Sequence, residues 1–270
     1  MPYFSDPTTP ALADSGSLVS PPRAVTFDAT GTLFRVPRLV EIYGEVLRRH
    51  GLEAAPDDLA GLLPRVWQEL ACSAEPARDR FASHPGGPRG WWRWYLERLC
   101  EHLGAPPPSP FAAAELYARF GRGDAYEVYP EVPAMLAELA SMGVELAVVS
   151  NWDDRLPAVL DELGLGEHLS AVVFSAGVGV EKPHPGIFEH TLARLGRRPE
   201  EVLHVGDRVR EDVEGALALG MEALRVSRPG RSREARPGEG ARQIVPPGDG
   251  GDVPDLSSLP ELVAAARGRA

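Results

Sequence analysis

Arg23-Ala24-Val25-Thr26-Phe27-Asp28-Ala29-Thr30-Gly31-Thr32-Leu33-Phe34 is the stretch on which the fold turns. A short apolar and β-branched run stops at a carboxylate and a Thr-Gly-Thr turn, the pattern of a buried strand with an aspartate at its carboxyl end. After Pro37 the period changes. Leu39, Ile42, Tyr43, Val46 and Leu47 recur at i, i+3, i+4, i+7 and i+8, as do Leu59, Leu62, Leu63, Val66 and Trp67, so two amphipathic helices are expected. Trp92, Tyr95, Leu96, Leu99 and Leu103 form a third stripe, and Leu116, Tyr117 and Phe120 a shorter fourth. Residues 37–125 therefore read as a small helical bundle.

Beyond Tyr129-Pro130 helix and strand alternate. Helical segments are expected at Val132–Met142, Arg155–Leu163, Ile187–Leu195 and Val209–Leu219, with strands at Val144–Val149, Ala171–Phe174, Val202–Val205 and Ala223–Val226. That order predicts an α/β core, a doubly wound parallel sheet covered on both faces, which the strand before the bundle joins. The core would comprise residues 23–36 and 126–270, interrupted by the bundle. Residues 1–22, rich in Pro, Ser and Thr, read as a disordered tail. Residues 227–252 read as loop with a short strand at Gln243–Val245, and Leu259–Ala266 as a closing helix.

The composition narrows the functional classes. The 270 residues are 43% hydrophobic and 25% charged, long enough to bury a sizeable core. A net charge of −11 opposes nucleic acid and anionic membrane as partners, and no apolar run reaches the ~18 residues of a membrane span. No apolar block of a secretory signal stands in Met1–Ser20, and Cys72 and Cys100 cannot build a disulfide framework; the expected setting is the cytoplasm. Of 28 basic residues only Lys182 is a lysine. A chain that otherwise uses arginine has a specific use for that ammonium.

In open parallel sheets ligands bind outside the carboxyl ends of the strands. The predicted ends deliver Asp28-Ala29-Thr30-Gly31-Thr32-Leu33, then Ser150-Asn151, then Gly206-Asp207 with Asp212 five residues on; Glu181-Lys182-Pro183 follows the third strand. In order and spacing these resemble the four motifs of the haloacid dehalogenase superfamily over residues 23–226. The resemblance implies a Rossmann-like core and makes the bundle an α-helical cap. Phe27–Phe34, Trp91-Trp92 and Ser150–Leu156 look, more finely, like the haloacid dehalogenase-like hydrolase domain-containing protein 3 group.

The residue types suit the chemistry that the resemblance implies. Asp28 would be a nucleophile forming an acyl-phosphate, against the plainer reading of a turn aspartate. Asp28, the Thr30 carbonyl and Asp207 would hold Mg²⁺, with Asp212 assisting as a ligand or by contacting Lys182. Asp207 also suits a helix N-cap. Lys182 would neutralise nucleophile and phosphoryl oxygens, while Ser150 and the Asn151 backbone would donate to the transferred group, or else form a turn.

Thr30 departs from the pattern, because phosphomonoesterases of the superfamily usually carry a second Asp there as general acid and base, and threonine does not titrate near neutral pH. Three functions follow. The first is a Mg²⁺-dependent phosphatase or phosphotransferase on a small phosphorylated molecule; the second is a metal-free 2-haloacid dehalogenase, and the third a degenerate enzyme that binds a partner. On the third helix Trp94 points away from the apolar stripe and Trp91 flanks it, so one of them is expected to face the site or a partner unless both simply pack.

Overall fold

The computed structural model describes residue 18 and residues 21–73, 78–228 and 252–269. Of the tail expected over residues 1–22, all but residues 18, 21 and 22 lies outside the described residues, as does the short strand expected at 243–245. In chain order the strands are β1 (Ala24–Phe27), β2 (Phe34–Arg35), β3 (Glu127–Val128), β4 (Glu145–Ser150), β5 (Ala171–Phe174), β6 (Val202–Gly206), β7 (Glu222–Val226) and β8 (Asp252–Val253). The helices are α1 (Leu39–Arg49), α2 (Pro56–Ser73), α3 (Gly87–His102), α4 (Pro110–Arg119), α5 (Val132–Ser141), α6 (Leu156–Glu162), α7 (Ser175–Val178), α8 (Pro185–Leu195), α9 (Gly215–Leu217) and α10 (Leu259–Arg269).

Six strands form a parallel sheet in the order β5-β4-β1-β6-β7-β8. β1 is central, and all four of its residues are buried because both faces of the sheet are covered. On one face α5, α6 and α10 pack Leu136, Leu160 and Val263 against Val25, Phe27 and Val148. On the other, α8 and α9 bring Ile187, Phe188 and Ala216 onto Ala147 and Val149. Removing a ring such as Phe27 from this interior costs about 3–5 kcal/mol.

The strand register sets the functional edge. Phe27 lies level with Val148 of β4 and Val205 of β6, so Asp28, Ser150 and Gly206 leave the sheet side by side. The chain then turns sharply at Gly31, whose φ of 97° suits glycine alone among common residues. It returns through β2, which pairs antiparallel with β3, so the two connections to the helical unit run together. Helices α1–α4 pack around a separate cluster that includes Ile42, Val46, Leu63, Trp91, Leu99 and Leu116.

Two details differ from expectation. The segment expected as one helix over Val209–Leu219 is a π-helical turn, Val209–Glu214, followed by the short α9. Its wider turn aims Asp212 inward, where the carboxylate accepts the Arg208 amide and the Lys182 ammonium. The tryptophan reading also changes. Trp91 is buried and Trp94 stacks on His84, whereas Trp92, assigned to the buried stripe, donates to Asp153 in the cleft. Trp91, Trp92 and Tyr95 crowd together on α3, so polarity and not periodicity selects the ring that faces the site. No described helix is long and apolar enough to cross a membrane.

Candidate active site

At the carboxyl edge of the sheet, Asp28 at the end of β1 is 7% exposed. Its Oδ1 accepts from Ser150 Oγ at 2.8 Å and from Lys182 Nζ at 2.8 Å, and no described residue donates to Oδ2. Ser150 ends β4, and Lys182 enters from the loop between α7 and α8. Lys182 Nζ also donates to the Val149 carbonyl at 2.8 Å and to Asp212 Oδ1 at 2.6 Å, which uses all three ammonium protons. Burial opposes its charge, but the Asp212 and Asp28 carboxylates outweigh that and hold its pKa above the ordinary lysine value.

Asp212 is equally constrained. Burial works against its ionisation, yet Lys182 and the hydrogen bond from His204 hold its carboxyl below the usual range. His204 is fully buried in β6, with Nδ1 against Thr26 Oγ1 at 2.8 Å and Nε2 against Asp212 Oδ1 at 3.3 Å. Burial is the main reason its own pKa is lowered. Gly206 explains the Gly-Asp pair of the fourth motif: a Cβ there would lie 2.2 Å from Asp212 Cγ.

Asn151 follows Ser150 at the end of β4. Its side-chain amide donates to the Lys182 carbonyl at 3.0 Å and accepts from the Lys182 amide at 2.6 Å, so it clamps the lysine's backbone. Thr30 Oγ1 accepts the Trp152 indole N–H at 3.1 Å. Asp28, Asp207 and Asp212 each offer a carboxylate oxygen, and these oxygens lie within 4.8 Å of one another. Three hard oxygen donors with no thiolate or imidazole among them fit Mg²⁺.

The edge opens into a cavity of about 260 Å³ lined by Asp28, Thr30, Ser150, Asn151, Lys182 and Asp212 among others. Sequence reasoning assigned no role to several of its walls. Arg80 forks onto Glu181 through Nε and Nη2 at 2.7 and 2.6 Å and lies 4.8 Å above the Trp67 ring. Arg155 binds Asp153 and the Tyr117 carbonyl, and stacks on Tyr117 at 4.0 Å. The adjacency of Glu181 to Lys182 was the available signal for the first pair, and the place of Asp153 and Arg155 in the Ser150–Leu156 stretch was the signal for the second.

Comparison with known proteins accords with this geometry. A family model described as haloacid dehalogenase-like hydrolase matches residues 22–220. Glyceraldehyde 3-phosphate phosphatase of Methanopyrus kandleri is 32% identical over 237 residues, 87% of this chain and 91% of that one. Human haloacid dehalogenase-like hydrolase domain-containing protein 3 is 32% identical over 210 residues, 77% and 82% of the two chains. The solved L-2-haloacid dehalogenase from Xanthobacter autotrophicus superposes with a TM-score of 0.65 at 28% identity, covering 92% of this chain and all of that one. A match that runs from the strand before Asp28 to beyond Asp212 takes in every strand-end residue of the site, and the chain belongs to the haloacid dehalogenase-like hydrolase family.

Proposed function

We propose that this hydrolase is a cytoplasmic, Mg²⁺-dependent phosphatase or phosphotransferase that works through an aspartyl-phosphate at Asp28, with the helices of residues 37–125 as a cap over the substrate. The observation that carries this reading is the charge balance at the sheet edge. Three carboxylates share a space within 4.8 Å, and the one lysine beside them is already divided between two of them. Such a cluster favours a divalent cation, and a metal-free dehalogenase would have no use for the excess negative charge.

Asp28 and Asp207 would hold the ion, and Asp212, already engaged by Lys182 and the Arg208 amide, would brace the pair. Bound Mg²⁺ supplies charge neutralisation at the phosphoryl oxygens. Asp28 Oδ2, which accepts from no described residue, attacks phosphorus while Oδ1 is fixed by Ser150 and Lys182. The bond from phosphorus to the leaving oxygen breaks, and water supplies that oxygen's proton because Thr30 has none to transfer at neutral pH. Water then attacks the acyl-phosphate, releasing phosphate and restoring the Asp28 carboxylate.

The test is phosphate release from a panel of esters, with and without Mg²⁺, by the natural protein and by Asp28→Asn. Release that needs both the ion and Asp28 supports the reading. Halide release from 2-haloacids in a chelator, or inertness toward every ester, contradicts it.

A further inference from the structure

We infer that the leaving group is an uncharged aromatic alcohol or phenol, recognised by a charge-balanced ring cage on the cap side of the cavity. The inference rests on the phosphatase reading and adds the substrate class. From the phosphoryl end the cavity runs between Tyr43, Trp67, Phe81, Trp92, Tyr126 and Trp152. Phe81 lies parallel to Trp92, with centroids 5.9 Å apart, and Trp67 is tilted at 5.8 Å from the same ring. These rings pack on one another and together present an aromatic wall to the cavity. A void of about 150 Å³ accommodates benzene, so 260 Å³ suits a ring together with its phosphoryl group.

Many of the polar groups in these walls are already paired within the protein, although Arg80 Nη1 has no partner. The Tyr126 hydroxyl donates to the Phe120 carbonyl, the Trp92 indole to Asp153, the Trp152 indole to Thr30, and the Asn151 amide to Lys182. The charges cancel in the same way: Arg80 is forked onto Glu181 and Arg155 onto Asp153, all four side chains at most 13% exposed. A polyol or amino-acid leaving group would lose water here and gain few partners in return, which disfavours it. An aromatic group loses little and gains stacking. Thr30 points the same way, because phenols depart without the general acid that position 30 lacks.

Benzyl phosphate and glycerol 1-phosphate separate recognition from leaving-group acidity, since both release an alkyl alcohol. With Mg²⁺ and the full chain, kcat/KM should favour the benzyl ester by about 10–100-fold, the range expected for burying one apolar ring. Trp67→Leu, or Phe81→Leu should the first fold poorly, should reduce that ratio at least several-fold. Calorimetry with benzylphosphonate and 3-hydroxypropylphosphonate reads the same preference without turnover. Equal or better hydrolysis of glycerol 1-phosphate or O-phospho-L-serine overturns the aromatic class and leaves the phosphatase reading standing. If no ester is cleaved but benzylphosphonate still binds preferentially, the cage stands and the phosphatase reading falls. If neither phosphonate is preferred, the inference is wrong.

Discussion

At position 30 a threonine hydroxyl accepts the Trp152 indole N–H at 3.1 Å, in the place where a carboxyl would carry a transferable proton. General acid assistance contributes about 10²–10⁴-fold, most of it to poor leaving groups. Thr30→Asp should therefore raise kcat/KM for alkyl phosphates by up to that factor and change aryl phosphates little; an equal gain on both kinds would show that the position limits something other than protonation. The Trp152 indole can donate to the new carboxylate as it does to the hydroxyl. Lys182 carries the opposite burden. Lys182→Met leaves Asp28 and Asp212 buried without their ammonium, a loss of about 3–5 kcal/mol in stability. Removing a preorganised donor to the transferring group costs about 10²–10³-fold in kcat. Thermal unfolding and steady-state kinetics measure the two effects, and a fully active variant would dissociate Lys182 from the chemistry.

Strand β6 and the π-helical turn after it work as one element, because Gly206 lets Asp212 fold back against the strand end. Gly206→Ala places a methyl 2.5 Å from Asp212 Cβ as well as 2.2 Å from its Cγ, so rotating the side chain cannot relieve the clash. The variant should lose at least about tenfold in kcat, since Asp212 no longer sets Lys182, and its unfolding temperature should fall. Full activity would mean that Asp212 acts from more than one position. Element by element, the sheet was legible because a strand buried on both faces writes a run of apolar and β-branched residues, as Val25–Phe27 and Leu146–Val149 do. The wide turn was not. Val209–Leu219 has helical spacing, and only the long-range bonds of Asp212 to Lys182 and His204 impose the extra residue per turn.

Across the whole molecule, stability should respond to pH through His204. Burial lowers its folded pKa, so below an unfolded value of about 6.5 the unfolded chain takes up a proton that the folded chain refuses. Stability contributed by the neutral ring is thus present above that pH and falls as the medium is acidified. The unfolding temperature should drop between pH 7.5 and 5.5, and His204→Gln should flatten the profile; parallel profiles would remove His204 as the cause. The same contrast between local and long-range information governs what the sequence revealed of the site. Asp28, Ser150, Lys182 and Asp207 sit at strand ends or in a short motif, where position along the chain dictates position in space. Arg80 meets Glu181, and Trp92 meets Asp153 and Arg155, across separations of 61 residues and more that leave no periodic trace.

The central claim is metal-dependent phosphoryl transfer through Asp28. Its most direct measurement is phosphate release from phenyl phosphate by the purified full-length protein, in Mg²⁺ and in excess chelator, beside Asp28→Asn. The account predicts turnover in Mg²⁺ that disappears in the chelator and in the variant. Turnover that survives either change, or none under any condition while 2-chloropropionate loses chloride, would contradict it.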